Sequence, residues 1–213
     1  MIAHDVVQRS PEWFALRCGR FTASRAADML ATIKAGEAAA RRDLRVQLVV
    51  ERLTGQPQDD PYINAAMQRG IDKEADAFAA YEGLTGNLAS TCGFLSHDTL
   101  RAGCSPDGLI RAGEGGLEVK CPKSATHLSY LRANTIPRDY RAQMMHALWI
   151  SGAQWWDFVS FDDRFPSPLQ LFYQRLERKE TEIAAYEIAA RDFLAEVDQE
   201  LEAVQRLAAG LAA

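Results

Sequence analysis

The sequence predicts an α/β (α+β) fold in which a central mixed β-sheet is flanked by helices. Apolar residues recur with helical spacing before residue 83 and after residue 177, whereas short apolar runs bounded by turn residues dominate over 91–121 and 154–176. The resulting order is helices, three strands, helices, two strands and a final helix. This order is typical of a mixed sheet packed between helices.

The length and composition of the chain indicate one globular domain. Its 213 residues can bury a sizeable core, and fractions of 47% hydrophobic and 25% charged residues exclude the disordered and fibrous classes. We expect a single domain over 1–213, with N-terminal helices in 10–82, a sheet core in 90–176 and a C-terminal helix in 178–209.

Charge and hydropathy limit the partners and the compartment. The 24 basic and 29 acidic residues give a net charge of −5, which argues against nucleic-acid binding over the whole surface but leaves a local basic groove open. The chain has no apolar run of about 18 residues, and its N-terminal segment lacks the basic start and apolar stretch of a signal peptide. We therefore expect a cytoplasmic protein with no membrane partner.

Capping signals define the first helices. Ser10, followed by a proline and a glutamate, predicts a helix that begins there and ends at Gly19. Two further helices, which follow a polar break at 21–24, are expected over 25–33 and 37–53. The arginines of the last helix form either a solvated face or a DNA contact, and the solvated face is the expectation we favour.

A longer helix is expected over 64–82, with a cap at Asn64 and a stop at Gly83. Glu74 falls within its apolar stripe, which consists of Met67, Ile71, Phe78 and Tyr81. A carboxylate on a core-facing stripe is costly to desolvate unless it faces a cation or a hydrogen-bond donor. Glu74 is therefore a candidate site residue, and the alternative is a solvated position at the rim.

Strand patterns occupy most of the remaining chain. Strands are expected over 91–98, 99–110, 115–121, 154–161 and 169–176. Helices are expected over 125–134 and 137–151. Roughly the last 30 residues form an amphipathic helix, whose long apolar stripe indicates packing on its own domain or a contact between subunits.

Three chemistry-bearing side chains are expected to converge at the edge of the sheet. Glu118 and Lys120 are two apart on one strand, so both project from the same face. Asp107 lies 11 residues before Glu118, at the end of the preceding strand, and a hairpin would bring it alongside. Divalent cations such as Mg²⁺ prefer oxygen ligands, and two such ions can stabilise the attacking and leaving oxygens of a phosphodiester. Each of these residues taken alone could equally be a surface charge.

The same residues form a known signature. Pro106–Asp107 followed by Glu118–Val119–Lys120 resembles the PD-(D/E)xK motif of restriction, repair and recombination nucleases, so a restriction-endonuclease-like core is expected. Five segments also resemble, in order, the lambda exonuclease family, whose members are described as YqaJ-like viral recombinases or alkaline exonucleases. These segments are 16–24, 69–82, 102–109, 116–122 and 140–150.

The resemblance implies a metal centre. Asp107 and Glu118 would be metal ligands together with the backbone carbonyl of Val119, and Lys120 would act on the attacking water. Glu74 would contact the metal through a water. The implied cofactor is Mg²⁺, as two ions, with Mn²⁺ as a substitute.

The resemblance also implies a site for the end of a DNA strand. Arg17 and Ser24 would bind the 5′-phosphate, and Ser105 and Gln143 would make further polar contacts near that phosphate or the metal. Arginine offers a planar fork suited to phosphate, and a serine near a helix start lies beside N–H groups that favour an anion. Gln143 is uncharged, so it can contact phosphate without competing for metal, and a catalytic role is also expected for it.

The activity implied by the family is a Mg²⁺-dependent 5′-to-3′ exonuclease on linear double-stranded DNA. It would release 5′-mononucleotides and leave 3′ single-stranded tails for recombination by single-strand annealing. The implied assembly is a ring-shaped homotrimer with a single-strand annealing protein as partner, in the cytoplasm of a bacterial host of a phage or prophage. Two alternatives stay open, a repair or restriction endonuclease on the same core and a non-catalytic subunit that binds DNA ends.

Residues outside the motif leave smaller questions. Four cysteines lie far apart and are expected to be reduced thiols, with an iron–sulfur cluster as the alternative. His146 is expected to be structural rather than a ligand. Trp155 and Trp156 are expected in core or interface packing, and the alternative for an exposed tryptophan is stacking on an unpaired base.

Overall fold

Two mixed sheets form the centre of the protein, whose computed structural model describes residues 1–58 and 65–211. In these residues nine strands are surrounded by eight α-helices. The predicted α/β class is therefore confirmed. The strands are divided between a five-stranded and a four-stranded sheet, however, and not gathered in one.

The five-stranded sheet has the order β3-β6-β7-β8-β9. Its strands are β3 (Ala89–Ser90), β6 (Gly108–Ile110), β7 (Gly115–Lys120), β8 (Trp155–Phe161) and β9 (Leu171–Glu177). Only β7 and β8 pair in parallel, and the connection between them contains the helices α6 (Ser124–Ala133) and α7 (Arg138–Ser151). This agrees with the long crossover that parallel neighbours need, whereas β6 and β7 are joined by a tight hairpin.

The four-stranded sheet has the order β1-β4-β5-β2, and its strands have only two or three residues each. They are β1 (Ile2–His4), β2 (Phe21–Thr22), β4 (Phe94–Ser96) and β5 (Ala102–Cys104). The predicted single strand over 99–110 is wrong, because β5 and β6 belong to different sheets. The break between them contains Pro106, which cannot donate to a strand ladder.

The N-terminal helices begin as the capping signals indicate. Helix α1 (Pro11–Arg17) starts at Ser10, whose hydroxyl accepts from the Trp13 N–H at 3.3 Å. The polar break expected at 21–24 instead contains the buried strand β2. Helix α2 (Ala26–Met29) ends earlier than residue 33, because the residues beyond it remain exposed and give no packing that would stabilise another turn.

The single helix expected over 64–82 is two helices, α4 (Ala65–Asp72) and α5 (Glu74–Thr85). Lys73 separates them, and α5 continues past Gly83 to a left-handed cap at Gly86. The predicted cap at Asn64 lies outside the described residues. The predicted stripe is also wrong in part, since Met67 is 54% exposed. Glu74 thus lies in the first turn of a helix and not in the middle of a core-facing stripe.

Helix α8 (Glu180–Leu211) packs along α3 (Ala39–Thr54). The two helices are joined by ion pairs whose N–O distances are 2.5 to 2.6 Å: Arg41–Glu196, Arg45–Glu200 and Arg52–Asp198. Three arginines of α3 are therefore paired with acids of α8, an arrangement that neither of the two sequence expectations included, whereas Arg42 is exposed, as the favoured expectation has it. In the described part of the chain, no helix has the length and apolar character needed to cross a bilayer.

The tryptophan pair of β8 packs inside the protein. Trp155 is 4% exposed and Trp156 is fully buried. Their rings cross over the paired strand β7 at Gly115 and Gly116, where an added Cβ would lie 2.2 to 2.3 Å from ring atoms. The two glycines at the start of β7 are therefore required by the bulk of β8. Core packing is thus observed, and stacking of these rings on a base is excluded.

His146 is also structural. It lies in α7, fully buried, with its Nδ1 2.8 Å from the Tyr186 hydroxyl and its Nε2 3.1 Å from the Gly103 carbonyl oxygen. Burial lowers the pKa of His146 to about 3, so the ring stays neutral. The contacts join α7 to β5 and α8, and they leave the ring no lone pair for a metal.

Candidate active site

The β6–β7 hairpin brings Asp107 to the strand that carries Glu118. Gly108 pairs with Leu117, and the Asp107 N–H donates to the Leu117 carbonyl oxygen at 3.2 Å. The side chain of Asp107 turns back onto the same strand, where its Oδ2 accepts from the Val119 N–H at 2.6 Å. The hairpin that the spacing predicted is thus present, and it places the two carboxylates on neighbouring positions.

Glu118 is a buried carboxylate with two donors on one of its oxygens. It is 2% exposed, and its Oε1 accepts from the Lys120 ammonium and from Gln143 Nε2, the latter at 2.7 Å. Burial raises the pKa of Glu118 to about 7; the positive charge of Lys120 opposes this shift and the negative charge of Asp107 adds to it. A cation bound at this carboxylate would relieve the cost of burying its charge.

Lys120 lies between the two acids. Its Nζ contacts Glu118 Oε1 and is 3.9 Å from Asp107 Oδ2. The same ammonium lies 5.4 Å from the ring centroid of Tyr140, a distance at which a cation is attracted to the aromatic face. Burial alone would lower the pKa of Lys120, but the two carboxylates outweigh burial and raise it above its ordinary value. The side chain is therefore a charged hydrogen-bond donor at neutral pH.

The oxygen atoms of this site fit a hard divalent cation. Both donors to Glu118 bond to Oε1, and the described residues give no donor to Glu118 Oε2 or to Asp107 Oδ1. Two carboxylate oxygens are therefore available, and oxygen is the ligand that Mg²⁺ and Mn²⁺ prefer. Among the described residues, no three His, Cys, Asp or Glu side chains are arranged to hold a metal. A further ligand must come from the backbone, for which the Val119 carbonyl is the expected group, or from water.

Glu74 lies near this centre but is held by another partner. Its Oε2 is 3.4 Å from Arg9 Nη2, and its side chain is 33% exposed. Burial is the main cause that raises the pKa of the Cys121 thiol to about 11, and the charges of Glu74 and Asp107 both add to that shift. Glu74 and Asp107 thus both act electrostatically on Cys121, the residue that follows Lys120.

Arg17 contacts Ser105, which lies in the segment that leads into the β6–β7 hairpin. Arg17 Nη1 donates to Ser105 Oγ at 3.5 Å, and Trp13 Nε1 donates to the same oxygen at 2.8 Å. The Arg17 guanidinium stacks over the Trp13 ring, 4.1 Å from its centroid. Because Ser105 is two residues before Asp107, this group adjoins the proposed metal ligands. Trp13 is not singled out as a site residue by the sequence, although its spacing of four residues from Arg17 places both on one helix face.

Ser24 is exposed on a 3₁₀ turn that follows β2, and its hydroxyl is 3.4 Å from Thr22 Oγ1. The contacts found for Ser24 within the described residues do not include Arg17 or Ser105. Thr22 and Arg17 do line one pocket together with Arg20 and Arg25. Ser24 does not itself line this pocket and contacts it through Thr22, whereas the contact between Arg17 and Ser105 is direct.

Gln8 is a further residue that sequence reasoning missed. Its Nε2 donates to the carbonyl oxygens of Cys92 and Pro106, both at 2.8 Å. The N-terminal segment therefore supports the turn that presents Asp107. No sequence pattern indicates this contact, because the two partners of Gln8 are more than 80 residues away.

The four cysteines do not form a site in the described part of the chain. Cys18, Cys92, Cys104 and Cys121 are free thiols. Burial raises the pKa of each, so none is activated as a thiolate. The iron–sulfur alternative consequently has no ligand set among these residues.

Comparison with known proteins agrees with the motif. Residues 12–154 match the family model of the YqaJ-like viral recombinase domain. The chain is 40% identical to an alkaline exonuclease (LHK-Exo) from Laribacter hongkongensis, with a TM-score of 0.86 over 95% of this chain and 100% of that one. A structure of LHK-Exo in complex with dAMP matches with the same values.

A more distant match shares the fold alone. A phage related exonuclease from Haemophilus somnus 129PT is 12% identical, with a TM-score of 0.64 over 87% of this chain and 96% of that one. No curated protein sequence matches the chain. The similarity that the five sequence segments indicated is thus confirmed by a family model and by a 40% identical structure.

Proposed function

The chain belongs to the YqaJ-like viral recombinase family, and on this premise we propose that it is a Mg²⁺-dependent exonuclease that degrades the 5′-ended strand of linear double-stranded DNA. The observation that carries the proposal is the convergence of Asp107, Glu118 and Lys120 on one hairpin, with carboxylate oxygens available to a metal. The 40% identity to an alkaline exonuclease supports the reaction class, and the dAMP complex of that protein agrees with mononucleotides as products.

Each residue of the proposed site has its own role in hydrolysis. Two divalent ions would stabilise the attacking and leaving oxygens of an in-line displacement. Asp107 and Glu118 would supply charge and ligand oxygens for them, and Gln143 holds the orientation of Glu118. Lys120, charged at neutral pH, donates hydrogen bonds to the attacking water and stabilises its developing negative charge. Glu74, in the first turn of α5, would contact the metal through a water.

The contact between Arg17 and Ser105 supports recognition of a strand end. A guanidinium and a hydroxyl two residues from Asp107 can bind a terminal 5′-phosphate while the adjacent phosphodiester lies at the metal centre. Ser24, whose hydroxyl lies 3.4 Å from that of Thr22 in the arginine-lined pocket, would add a hydroxyl contact. A repair or restriction endonuclease has no need of such a group, so this cluster separates the two alternatives.

Replacing Arg17 with alanine is expected to reduce the preference for 5′-phosphorylated over 5′-hydroxyl duplex. The loss should be roughly 10- to 100-fold, because a charge-assisted hydrogen bond contributes about 1.5–3 kcal/mol. The measurement is the ratio of kcat/KM for the two substrates at saturating Mg²⁺. Arg42→Ala is the matched control, since Arg42 is an exposed arginine on α3 that pairs with the adjacent Asp43. An unchanged ratio in Arg17→Ala would favour the endonuclease.

The raised pKa of Glu118 leads to a pH dependence of metal binding. Because folding raises this pKa to about 7, the charged form is disfavoured in the folded protein. The stability contributed by protonated Glu118 is present at low pH and is lost as pH rises through 7. A bound cation offsets that loss, and it must displace a proton below pH 7. The increase in Tm on adding Mn²⁺ should therefore be larger at pH 8.5 than at pH 6.

Thermal denaturation with and without MnCl₂ at the two pH values tests this expectation, and Glu118→Gln should remove the difference between them. The protein would need a different metal site if the variant kept the same pH-dependent increase. Activity is expected to rise toward alkaline pH because ionised Glu118 binds the metal more readily. If deprotonation of the attacking water limits the rate, this step would add to the same rise.

The proposed assembly is a ring-shaped homotrimer of single-domain subunits that encloses the duplex. A net charge of −5 weakens general attraction to phosphate, and a topological link to DNA would maintain contact without it. We further propose a single-strand annealing protein as partner, in the cytoplasm of a bacterial host of a phage or prophage. Light scattering measures the mass in solution, and a monomer in the presence of DNA would contradict the ring.

A further inference from the structure

Asp162 and Asp163 directly follow β8, at the end of the strand that pairs with β7. Asp162 is fully buried and accepts from Arg164 at 2.7 and 2.9 Å and from Arg69 at 3.2 Å. Asp163 pairs with Arg69 and, at 2.7 Å, with Lys73. In the described residues, these two acids thus gather three cations from two parts of the chain.

One set of contacts holds the residue that precedes Glu74. Arg69 lies in the last turn of α4, and Lys73 is the residue at which α4 ends and α5 begins. Glu74 follows Lys73 immediately. The junction between the two helices is therefore fixed to the end of β8 by ion pairs from Arg69 in α4 and from Lys73 at the junction itself, and the position of the Glu74 carboxylate depends on that junction.

A second set of contacts reaches the strand of the metal centre. Arg164, held by Asp162, donates through Nη2 to the Pro122 carbonyl oxygen at 3.2 Å. Pro122 is two residues after Lys120, and Lys120 pairs with Ser160 in the β7–β8 register. The same buried carboxylate is thus connected to both elements that carry the proposed catalytic residues.

The burial of Asp162 needs an explanation, because a buried ion pair adds little net stability after its desolvation cost. Burial would raise the pKa of Asp162, but hydrogen bonds from Arg164 and its neighbours lower it to about 2. Asp162 therefore remains charged, with both carboxylate oxygens bonded to cations. Such a group fixes the geometry of its partners even where it contributes little to the free energy of unfolding.

We propose that Asp162 is a positioning residue, which acts through Arg69 and Arg164 to hold Glu74 and the end of β7 in the geometry required for hydrolysis. Asp162 is fully buried and both of its oxygens accept from arginines, so the role we propose for it requires no contact with DNA or metal. The inference rests on the proposed function, since it needs Glu74 and Lys120 to act in catalysis. It adds a residue that neither the motif nor the resemblance assigns.

The test compares Asp162→Asn, Glu74→Gln and the double variant in hydrolysis of a 5′-phosphorylated duplex. Asp162→Asn should lower kcat on the order of 10- to 100-fold, the effect of misplacing a catalytic group by about 1 Å, with the KM for DNA changed by less than about twofold. The Mg²⁺ concentration for half-maximal rate should rise. In the Glu74→Gln background the same substitution should have a much smaller effect, because it acts in part through Glu74.

Two further variants keep the test informative. Asp163→Asn removes the half-exposed partner of Arg69 and Lys73, and it should show a weaker form of the same non-additivity if Asp162→Asn fails to fold. Glu187→Gln removes an exposed ion pair with Arg191 on α8 and should leave the kinetics unchanged.

The outcomes separate the two claims. If the wild-type protein hydrolyses no duplex with any divalent metal, the proposed function is wrong. If Glu74→Gln is fully active, the role proposed for Glu74 is wrong. Two results would overturn the positioning role when the wild-type protein and Glu74→Gln behave as expected. In the first, Asp162→Asn lowers only the Tm. In the second, it lowers kcat by the same factor in the wild-type and Glu74→Gln backgrounds.

Discussion

Glu118→Gln should reduce DNA hydrolysis at least about 1,000-fold at saturating Mg²⁺, because it removes a charge from the metal centre and with it several kcal/mol of transition-state stabilisation. Glutamine retains the shape of the side chain. Folding already disfavours the charge of Glu118, whose pKa burial raises to about 7, so the loss of activity should not come from unfolding. Single-turnover cleavage of a 5′-phosphorylated duplex measures the effect.

Metal binding distinguishes this explanation from a structural one. The Tm of the wild-type protein should rise on addition of Mn²⁺, and the Tm of Glu118→Gln should not. Asp107→Asn is expected to behave in the same way, since its carboxylate supplies the second ligand. Glu180→Gln is a suitable control because Glu180 is an exposed acid at the start of α8. A Glu118→Gln variant that kept both its activity and its response to Mn²⁺ would contradict the proposed ligand set.

Lys120→Met should be the second severe change, with a loss of kcat on the order of 100- to 1,000-fold, the size found when a charged or hydrogen-bonding group that stabilises a transition state is removed. Methionine retains much of the length and the apolar stem but removes the ammonium, which contacts Glu118 and lies 3.9 Å from Asp107. Metal binding should persist because both carboxylates remain. The expected signature is low kcat with a normal Mn²⁺-induced rise in Tm.

Lys120→Arg offers a matched comparison. It keeps the charge, but a planar guanidinium cannot occupy the position of a compact ammonium against the Tyr140 ring and the two acids, so we expect little recovery of activity. If Lys120→Met loses Mn²⁺ binding together with activity, the lysine organises the carboxylates and does not act on the water.

The convergence of Asp107, Glu118 and Lys120 could be predicted because its determinants are local. The alternation of side chains along a strand places Glu118 and Lys120 on one face, and a tight hairpin returns Asp107 to them. Neither step requires knowledge of distant parts of the chain. Long elements such as β8 and β9, with seven residues each, were found for the same reason, since their patterns extend over enough residues to be recognised.

The small sheet could not be predicted, because its strands are too short to show a period. Strand β2 has two residues, and its partner β5 is about 80 residues away, where Phe21 pairs with Ala102. Strand β1 likewise pairs with a strand that is distant in sequence, β4, where Ile2 pairs with Ser96. Such strands exist only because tertiary packing brings their partners together, and propensity within a two-residue segment carries no information about that.

The remaining contacts around the site are likewise non-local. Arg17 reaches Ser105 across 88 residues, and its role was inferred from resemblance and not from spacing. The prediction for Glu74 used an apolar stripe that the structure interrupts at Lys73. The ion pairs of Asp162 and Asp163 hold the helix junction to β8, and no pattern within residues 64–82 could reveal them.

We propose that the β6–β7 hairpin forms a divalent metal centre. The most direct measurement is anomalous diffraction from a crystal of the wild-type protein soaked in MnCl₂ at a concentration that supports cleavage. We expect Mn²⁺ to be bound by the carboxylates of Asp107 and Glu118 and by the Val119 carbonyl oxygen. Anomalous density elsewhere in the protein, with none at this hairpin, would contradict the account.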